Sequence, residues 1–285
     1  MRATPFEQRD VEVGGLRLRY VDVGPTTSPG DAEPLVVIPG HTARIEGFDE
    51  VVPVLAERRR VIVADLPGSG YSAKPEGDYT VRRYEDAVLG LLDALGIERA
   101  VPVGGSLGGN LVLRLGRRRP DRFPRLVLWA PGSAWPAKPL VARMLRAMPR
   151  WMFWPVVRGQ SRFWFSPDFP GRRAALDETF AYYREVMCPG FVDMYFGLAA
   201  DQVGASLFPI ASEILQPTLL MWGDRDHGGG MGTGVARLAA TIPHVDFVTF
   251  PGARHSLEAE VPDRLAATIV EWLDRRPVAP GTLPG

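Results

Sequence analysis

Apolar and polar residues recur with different periods along this chain, and each period predicts a different kind of element. Residues 11–13 and 16–21 alternate between apolar and polar side chains on either side of Gly14 and Gly15. This pattern is typical of a β-hairpin with a tight turn. From residue 35 onward, short apolar runs alternate with segments of helical periodicity. The sequence therefore predicts an α/β fold, with a mostly parallel sheet covered by helices on both faces.

The apolar runs predict six strands after the hairpin, and the helical periodicities predict five helices. The strands fall near residues 35–38, 60–64, 99–103, 125–130, 217–222 and 245–250. The helices fall near residues 46–58, 80–95, 107–119, 232–241 and 262–275. Strands and helices follow one another along most of the chain, which indicates one core domain.

One long insertion interrupts this alternation between residues 133 and 215. The insertion has helical stretches but no clear parallel strand, so it is not part of the predicted sheet. The core domain is therefore expected to consist of residues 1–132 and 216–276. Residues 277–285 contain three prolines and are interpreted as a frayed C-terminal tail.

The insertion is unusually rich in aromatic residues and methionine. Most of these side chains are expected to pack within the insertion and on the core. A minority should line a substrate pocket, because such pockets are mostly apolar. The residues predicted to contact substrate are Trp135, Trp154 and Phe163 of the insertion, together with Leu257, which lies outside it.

A strand-to-helix turn at residues 104–108 (Gly-Gly-Ser-Leu-Gly) carries the most specific chemical signal. A sharp turn with Ser106 at its apex needs residues of almost no bulk on either side, which Gly104 and Gly108 supply. The turn directs the first helical N–H groups toward the Ser106 hydroxyl, where the helix dipole favours an oxyanion. Ser106 is therefore the predicted nucleophile; the alternative is a glycine-rich turn without chemistry.

A serine nucleophile needs a general base, and the base needs a carboxylate that orients it. His255 follows the last predicted strand, while Asp224 and Asp226 both follow the strand before it. The carboxyl ends of parallel strands lie at one edge of a sheet, so these residues can converge on Ser106. Spacing alone leaves both aspartates open as the acid.

Several motifs at compatible spacings make the chain resemble the α/β-hydrolases that carry a helical lid. Residues 35–41 resemble the third strand and oxyanion loop of that family, and residues 65–72 resemble its Asp-x-x-Gly-x-Gly-x-Ser turn. Residues 255–273 resemble its C-terminal histidine segment. The resemblance implies that the insertion is a cap over the active site. It also favours an acid three residues after the strand-ending Gly223, which is Asp226.

The resemblance further implies an oxyanion hole built from two backbone N–H groups. One belongs to Leu107, directly after the nucleophile, and the other to the loop after the third strand. There Pro-Gly-His replaces the usual His-Gly-x, so the second donor is expected to be His41, with Thr42 next in line. His41 lies one residue later than the usual loop histidine, so a shifted register stays open. As a rival base, His41 has a poorer sequence context than His255.

The resemblance implies the activity of a serine hydrolase, and specifically of a carboxylesterase that acts on apolar esters. Such an enzyme needs no metal or organic cofactor. Haloalkane dehalogenases and epoxide hydrolases also resemble the chain, but they need a carboxylate where it has Ser106. Carbon–carbon bond hydrolases use serine, although they commonly carry an aromatic residue where the chain has Ser256. A non-hydrolytic acyl transferase or cyclase and a catalytically silent binding protein stay open as alternatives.

The partner implied by the resemblance is a small-molecule apolar ester or related carbonyl substrate, and charge and composition give no sign of a nucleic-acid or membrane partner. Lysine and arginine together number 33, as do aspartate and glutamate, so no basic balance indicates nucleic-acid binding. No apolar run approaches the ~18 residues of a membrane span, and the N-terminus lacks an apolar signal core. Cys188 is the single cysteine, so no intramolecular disulfide forms. The default expectation is a soluble cytoplasmic protein, with a homo-oligomer left open.

Overall fold

Eight strands form one sheet in the computed structural model of the protein, which describes residues 4–25, 33–227 and 232–276. The predicted tail, residues 277–285, and the glycine-rich loop at 228–231 lie outside the described residues. The strands are β1 Gln8–Val13, β2 Leu16–Val23, β3 Leu35–Ile38, β4 Val61–Ala64, β5 Val101–Gly105, β6 Leu126–Trp129, β7 Thr218–Gly223 and β8 Val245–Phe250.

The sheet has the strand order β1-β2-β4-β3-β5-β6-β7-β8. The predicted hairpin forms, with β1 antiparallel to β2 and β2 antiparallel to β4. All other neighbouring strands run parallel. Every residue of β3, β4 and β6 is buried, as expected for strands covered on both faces. The predicted α/β class with a mostly parallel sheet is therefore confirmed.

Helices of the core flank this sheet and largely follow the predicted segments. They are α1 Val51–Ala56, α2 Val81–Ala94, α3 Leu107–Arg118, α9 Gly232–Thr241, α10 Leu257–Glu260 and α11 Pro262–Arg275. The prediction of a single helix near residues 46–58 is wrong. A 3-10 turn over Ile45–Phe48 precedes α1 instead. Pro53 lies in the first turn of α1, where a missing backbone N–H is tolerated, whereas in a helix begun at residue 46 it would lie in the interior and remove a hydrogen bond to residue 49.

The strand before the elbow also differs from the prediction. The sequence predicts it near residues 99–103, but β5 extends through Gly104 and Gly105. These two glycines pair with Leu128 and Trp129 of β6. The sharp turn is therefore confined to Ser106, which stands directly between β5 and α3.

Between β6 and β7 the described chain forms five α-helices, a 3-10 turn over Arg150–Met152 and no strand. The α-helices are α4 Pro139–Arg146, α5 Phe153–Ser161, α6 Arg172–Val186, α7 Pro189–Gly204 and α8 Phe208–Ala211. We call residues 133–215 the helical insertion. No helix within the described ranges combines the length and apolarity needed to cross a lipid bilayer.

Candidate active site

Ser106 adopts a backbone conformation that residues other than glycine rarely take, with φ +56° and ψ −117°. Backbone hydrogen bonds hold it there, including one from the Asn110 N–H to the Ser106 carbonyl at 3.0 Å. The Ser106 N–H donates to the Trp129 carbonyl at 3.0 Å, and the Gly132 N–H donates to the Ser106 carbonyl at 2.9 Å. Strain of this kind persists where surrounding structure enforces it, and it is concentrated at functional sites.

The glycines around Ser106 are required by close contacts with backbone and side-chain atoms. A Cβ on Gly104 would lie 2.7 Å from the carbonyl carbon of Gly108. A Cβ on Gly108 would lie 2.0 Å from the Ile38 carbonyl oxygen. The steric requirement predicted for both glycines is confirmed. Gly105, at the end of β5, is equally constrained, because a Cβ there would lie 2.1 Å from Trp129 Nε1.

Three side chains from separate strand ends meet at this elbow. Nε2 of His255 lies 3.0 Å from Oγ of Ser106, and Nδ1 of His255 lies 2.9 Å from Oδ2 of Asp226. Ser106 follows β5, Asp226 follows β7 and His255 follows β8. The hydrogen-bonded chain has the order that lets a histidine take the serine proton while an aspartate orients the imidazole.

The two aspartates after β7 have different environments. Asp226 is fully buried and pairs with His255. Asp224 is exposed, and its Oδ1 accepts a hydrogen bond from the Gly252 N–H at 2.8 Å. The geometry therefore joins His255 to Asp226, whereas Asp224 stabilises the turn after β8.

Opposing influences act on the pKa of His255. Burial disfavours the imidazolium, but the charge of Asp226 and its hydrogen bond favour it, assisted by Glu258 and Glu260. The net result raises the pKa of His255 above its ordinary value. His227 and His244 are both exposed, away from this arrangement.

Glu258 is a residue near the site whose contacts the sequence analysis missed. Its Oε2 accepts a hydrogen bond of 2.9 Å from Trp129 Nε1, and that indole nitrogen lies against Gly105. Burial raises the pKa of Glu258, while the Trp129 hydrogen bond and His255 act in the opposite direction. The sequence offers one indication that Glu258 lies near the site, which is its position three residues after His255. The contact with Trp129 connects the histidine segment to the residue before the elbow.

The two predicted oxyanion donors belong to segments that lie next to Ser106. Leu107 is the first residue of α3, where N–H groups have no partner within the helix. The loop after β3 approaches Ser106 closely: a Cβ on Gly40 would lie 3.4 Å from the Cβ of Ser106. The structure thus brings the loop that contains His41 next to the elbow.

The imidazole of His41 stacks on Tyr195 of α7, with ring centroids 4.9 Å apart and planes 21° apart. Burial lowers its pKa to about 4, so the ring is neutral at physiological pH. Its Nε2 has no hydrogen-bond partner in the part of the chain that the structure describes. His41 also lacks an ion pair with any described carboxylate, which distinguishes it from His255.

The four predicted substrate contacts lie in different surroundings. Trp154 packs edge-to-face on Phe153, and Phe163 lies under the guanidinium of Arg254, the residue before His255. Leu257 is fully buried at the start of α10. Trp135 is half-buried, and its Nε1 lacks a partner among the described groups. Contact of these four residues with substrate stays a prediction.

Other parts of the surface show two clefts, of about 490 Å³ and 370 Å³. The first lies between β8 and α11, and the second lies at the beginning of α6. None of the predicted site residues lines either cleft. Within residues 4–25, 33–227 and 232–276, no group of three or more His, Cys, Asp or Glu side chains is arranged to hold a metal ion.

Comparison with known proteins gives a family match and several relatives of similar length. A family model described as the alpha/beta hydrolase fold matches residues 33–259. Haloalkane dehalogenase 2 of Mycobacterium tuberculosis (strain ATCC 25618 / H37Rv) is 28% identical over 283 residues, which cover 94% of this chain and 95% of the relative. The 2-hydroxymuconate semialdehyde hydrolase of Pseudomonas sp. (strain CF600) is 28% identical over 282 residues, which cover 95% and 84%.

Among solved structures, the enol-lactonase from Burkholderia xenovorans LB400 superposes with a TM-score of 0.79 at 25% identity. That match covers 93% of this chain and 100% of the lactonase chain. The relatives therefore share one fold across nearly the whole chain while their names describe different reactions.

Proposed function

The chain belongs to the α/β-hydrolase fold family, and within that family we propose that it is a serine hydrolase that cleaves carboxylic esters of apolar substrates. One observation carries this proposal. The Ser106 hydroxyl lies 3.0 Å from His255, and His255 lies 2.9 Å from Asp226, with Ser106 on a strained elbow. These distances are within the range that proton transfer to a general base requires.

In the proposed reaction, His255 Nε2 takes the Ser106 proton as Oγ attacks the ester carbonyl. The tetrahedral intermediate collapses to an acyl-enzyme, and His255 gives the proton to the departing alcohol. A water molecule, deprotonated by His255, then attacks the acyl carbon and releases the acid and the Ser106 hydroxyl. Asp226 keeps the imidazole in the productive tautomer and stabilises its charged form.

The negative charge that develops on the carbonyl oxygen needs fixed donors. The N–H of Leu107 at the start of α3 and the N–H of His41 on the facing loop are the proposed pair. The closeness of both segments to Ser106 supports this assignment. The positive end of the α3 dipole adds to the stabilisation.

An apolar ester is favoured as substrate by the helical insertion and by one relative. We propose that the insertion acts as a cap, and that Trp135, Trp154, Phe163 and Leu257 contribute apolar wall. The enol-lactonase at 25% identity supports ester chemistry, because a lactone is a cyclic ester.

The similarity to a haloalkane dehalogenase does not extend to the nucleophile. Enzymes of that kind displace halide with a carboxylate, and the elbow of this chain carries Ser106 instead. The serine hydroxyl paired with His255 is suited to attack on a carbonyl carbon. We therefore favour acyl chemistry over dehalogenation.

A carbon–carbon bond hydrolase is the second candidate. The 28% identity to a 2-hydroxymuconate semialdehyde hydrolase over 95% of this chain favours it. The residue after His255 argues for ester hydrolysis, because Ser256 stands where such carbon–carbon hydrolases commonly have an aromatic side chain. In this chain the Ser256 N–H donates to the Trp164 carbonyl at 3.2 Å.

Hydrolysis of p-nitrophenyl esters from acetate to dodecanoate tests the proposal. We expect turnover by the native protein, loss of activity in Ser106→Ala, and unchanged activity in Ser161→Ala. Ser161 is a suitable control because it is a buried serine at the end of α5, with its hydroxyl bonded to the Arg158 carbonyl. The preferred chain length measures the space available to the acyl group.

A fluorophosphonate probe and a dienoate ring-cleavage product separate the remaining alternatives. Labelling of Ser106 with turnover of the dienoate but of no ester would favour the carbon–carbon hydrolase. Transfer of the acyl group to an added alcohol without release of free acid would indicate an acyltransferase. A protein that neither turns over an ester nor reacts with the probe would overturn the proposal and favour a silent binding scaffold.

A further inference from the structure

Helix α4 of the helical insertion presents apolar side chains to the surface. None of its eight residues is buried. Leu140 is 78% exposed and Met144 is 66% exposed, and they are four residues apart, which places them on the same side of the helix. Val141 is exposed beside them, and Trp151, on the turn after α4, is 73% exposed.

Ion pairs fix this segment against the rest of the molecule. Arg146 bonds to Asp78 and to Asp201 of α7, and Arg150 bonds to Asp193 of α7 as well as to Glu76. The Lys138 N–H donates to the Val203 carbonyl at 2.8 Å, so α4 lies along α7. The apolar side chains therefore face outward on an anchored helix.

Residues 133–167 carry cations but no acidic side chain, and the carboxylates that pair with Arg146 and Arg150 come from outside this range. The sequence contains no Asp or Glu between Asp121 and Asp168, whereas residues 133–167 contain six Lys and Arg residues. Four of the seven tryptophans also lie in residues 133–167. On α4 itself, Arg143 and the preceding Lys138 have no ion pair with any carboxylate of the described residues. Exposed apolar groups and unpaired cations thus share one surface.

We propose that this surface docks on an anionic lipid interface. The docking patch consists of Lys138, Leu140, Val141, Arg143, Met144 and Trp151. Helices that lie on membranes combine an apolar side, which enters the headgroup region, with cations that bind anionic lipids. Tryptophan favours the same interface, since its ring is apolar and its N–H is polar.

A second copy of the chain fits the patch less well than lipid does. Most homodimers are formed by the same surface on both copies, so Lys138 and Arg143 of one copy would be placed against the docking patch of the other, which also carries cations. The patch itself contains no acidic residue that would neutralise them. Anionic lipid headgroups supply the missing negative charge, and acyl chains supply apolar contact.

Docking is independent of the proposed esterase activity and is measured without turnover. The full chain is mixed with sucrose-loaded vesicles of phosphatidylcholine alone, or of phosphatidylcholine and phosphatidylglycerol in equal parts, and then sedimented. We expect binding to the phosphatidylglycerol vesicles that weakens as salt is raised from ~0.05 to ~0.5 M, because salt screens the headgroup charge. Phosphatidylcholine vesicles should bind much less protein.

Two variants of the docking patch and one matched control define the contact. Leu140→Ser/Met144→Ser/Trp151→Ser and Lys138→Glu/Arg143→Glu should each weaken vesicle binding by about tenfold or more. The control Leu215→Ser/Phe247→Ser alters apolar side chains that are 52% and 41% exposed elsewhere and should bind like the native protein. A thermal melt of each variant shows that the fold is retained.

Two results would overturn the proposal. One is that the native protein binds the vesicles and both patch variants bind them equally well. The other is absence of vesicle binding by the native protein. If the native protein then self-associates in sedimentation velocity and the apolar patch variant does not, the patch is a contact between copies of this chain.

Discussion

The phenolic oxygen of Tyr183 lies 2.6 Å from the hydroxyl of Thr42, although the two residues are 141 positions apart. Thr42 has φ +62°, and its hydroxyl also lies 2.5 Å from the His41 carbonyl oxygen. A threonine hydroxyl has one proton, so when it donates to the His41 carbonyl, Tyr183 donates to Thr42. This chain of hydrogen bonds links α6 of the helical insertion to the loop beside Ser106.

Replacing Tyr183 with phenylalanine should therefore affect the chemical step. The proposed His41 donor acts mainly in the transition state, so kcat should fall about tenfold while KM changes little. This loss is smaller than the ~10²–10³ that follows when an oxyanion donor is removed outright. The substitution leaves the His41 N–H in place and removes only one restraint on the loop that carries it. Steady-state kinetics on the best p-nitrophenyl ester measure both constants.

Tyr182→Phe is the matched control for this prediction. Its hydroxyl accepts a hydrogen bond from the Gly70 N–H at 2.6 Å, so its loss should lower stability without changing kcat. Equal losses of kcat in the two variants would contradict a specific role for the Tyr183–Thr42 pair.

Asp226→Asn should lower kcat by about 10⁴-fold, because an amide at this position favours the wrong tautomer of His255. Asp224→Asn should stay within about twofold of the native value, since its partner is the Gly252 N–H rather than the imidazole. Both variants remove one negative charge from the same loop. A comparable loss in the two would show that charge near the site, and not orientation of His255, is what matters.

The pH dependence of kcat/KM should follow the protonation of His255. The imidazole must be neutral to accept the Ser106 proton, so activity rises with pH as the proton is lost. Since Asp226 and the nearby glutamates outweigh burial and raise the pKa of His255, the midpoint of this rise should lie above 6.5. His41, with a pKa of about 4, should contribute no second rise above about pH 5.

Glu258→Gln tests the contribution of the glutamate directly. Removing a negative charge that favours the imidazolium lowers the pKa of His255, so the midpoint should move to lower pH. The amide carbonyl that this substitution introduces can still accept a hydrogen bond from Trp129 Nε1, which preserves the local packing. Glu57→Gln, on an exposed residue after α1, should leave the midpoint in place. An unmoved midpoint in Glu258→Gln would argue against electrostatic coupling to His255.

Gly108→Ala should destabilise the protein by about 2 kcal/mol or more, because the new methyl group would meet the Ile38 carbonyl oxygen, a backbone atom that cannot rotate away. Gly159→Ala, in α5, meets nothing within 4 Å and should stabilise the helix by up to about 1 kcal/mol. Urea unfolding measures both free energies. Similar values for the two variants would mean that the elbow relaxes more easily than its contacts suggest.

Local pattern was sufficient for much of the fold. Strand β8 and helix α11 have the predicted bounds, since each is defined by its own periodicity and by turn residues at its ends. The elbow could be recognised for the same reason, because its glycines and Ser106 act within a few residues of one another. The error at residues 46–58 arose because apolar spacing continues across residues 49 and 50, where the 3-10 turn ends and α1 has not yet begun.

The arrangement of the site depended on tertiary structure. Sequence spacing left Asp224 and Asp226 as alternatives, and only the fold shows which carboxylate reaches His255. Nothing in the sequence indicates the contact between Tyr183 and Thr42.

The chain by itself thus determined the α/β class, the strand-turn-helix that bears Ser106 and the order of the candidate triad, because these features rest on near neighbours and on the common edge of a parallel sheet. Tertiary structure decided which acid meets His255, how α6 holds the loop of Thr42, and which side of α4 faces outward. These contacts join residues distant in sequence, and their geometry follows from how the helical insertion packs on the core.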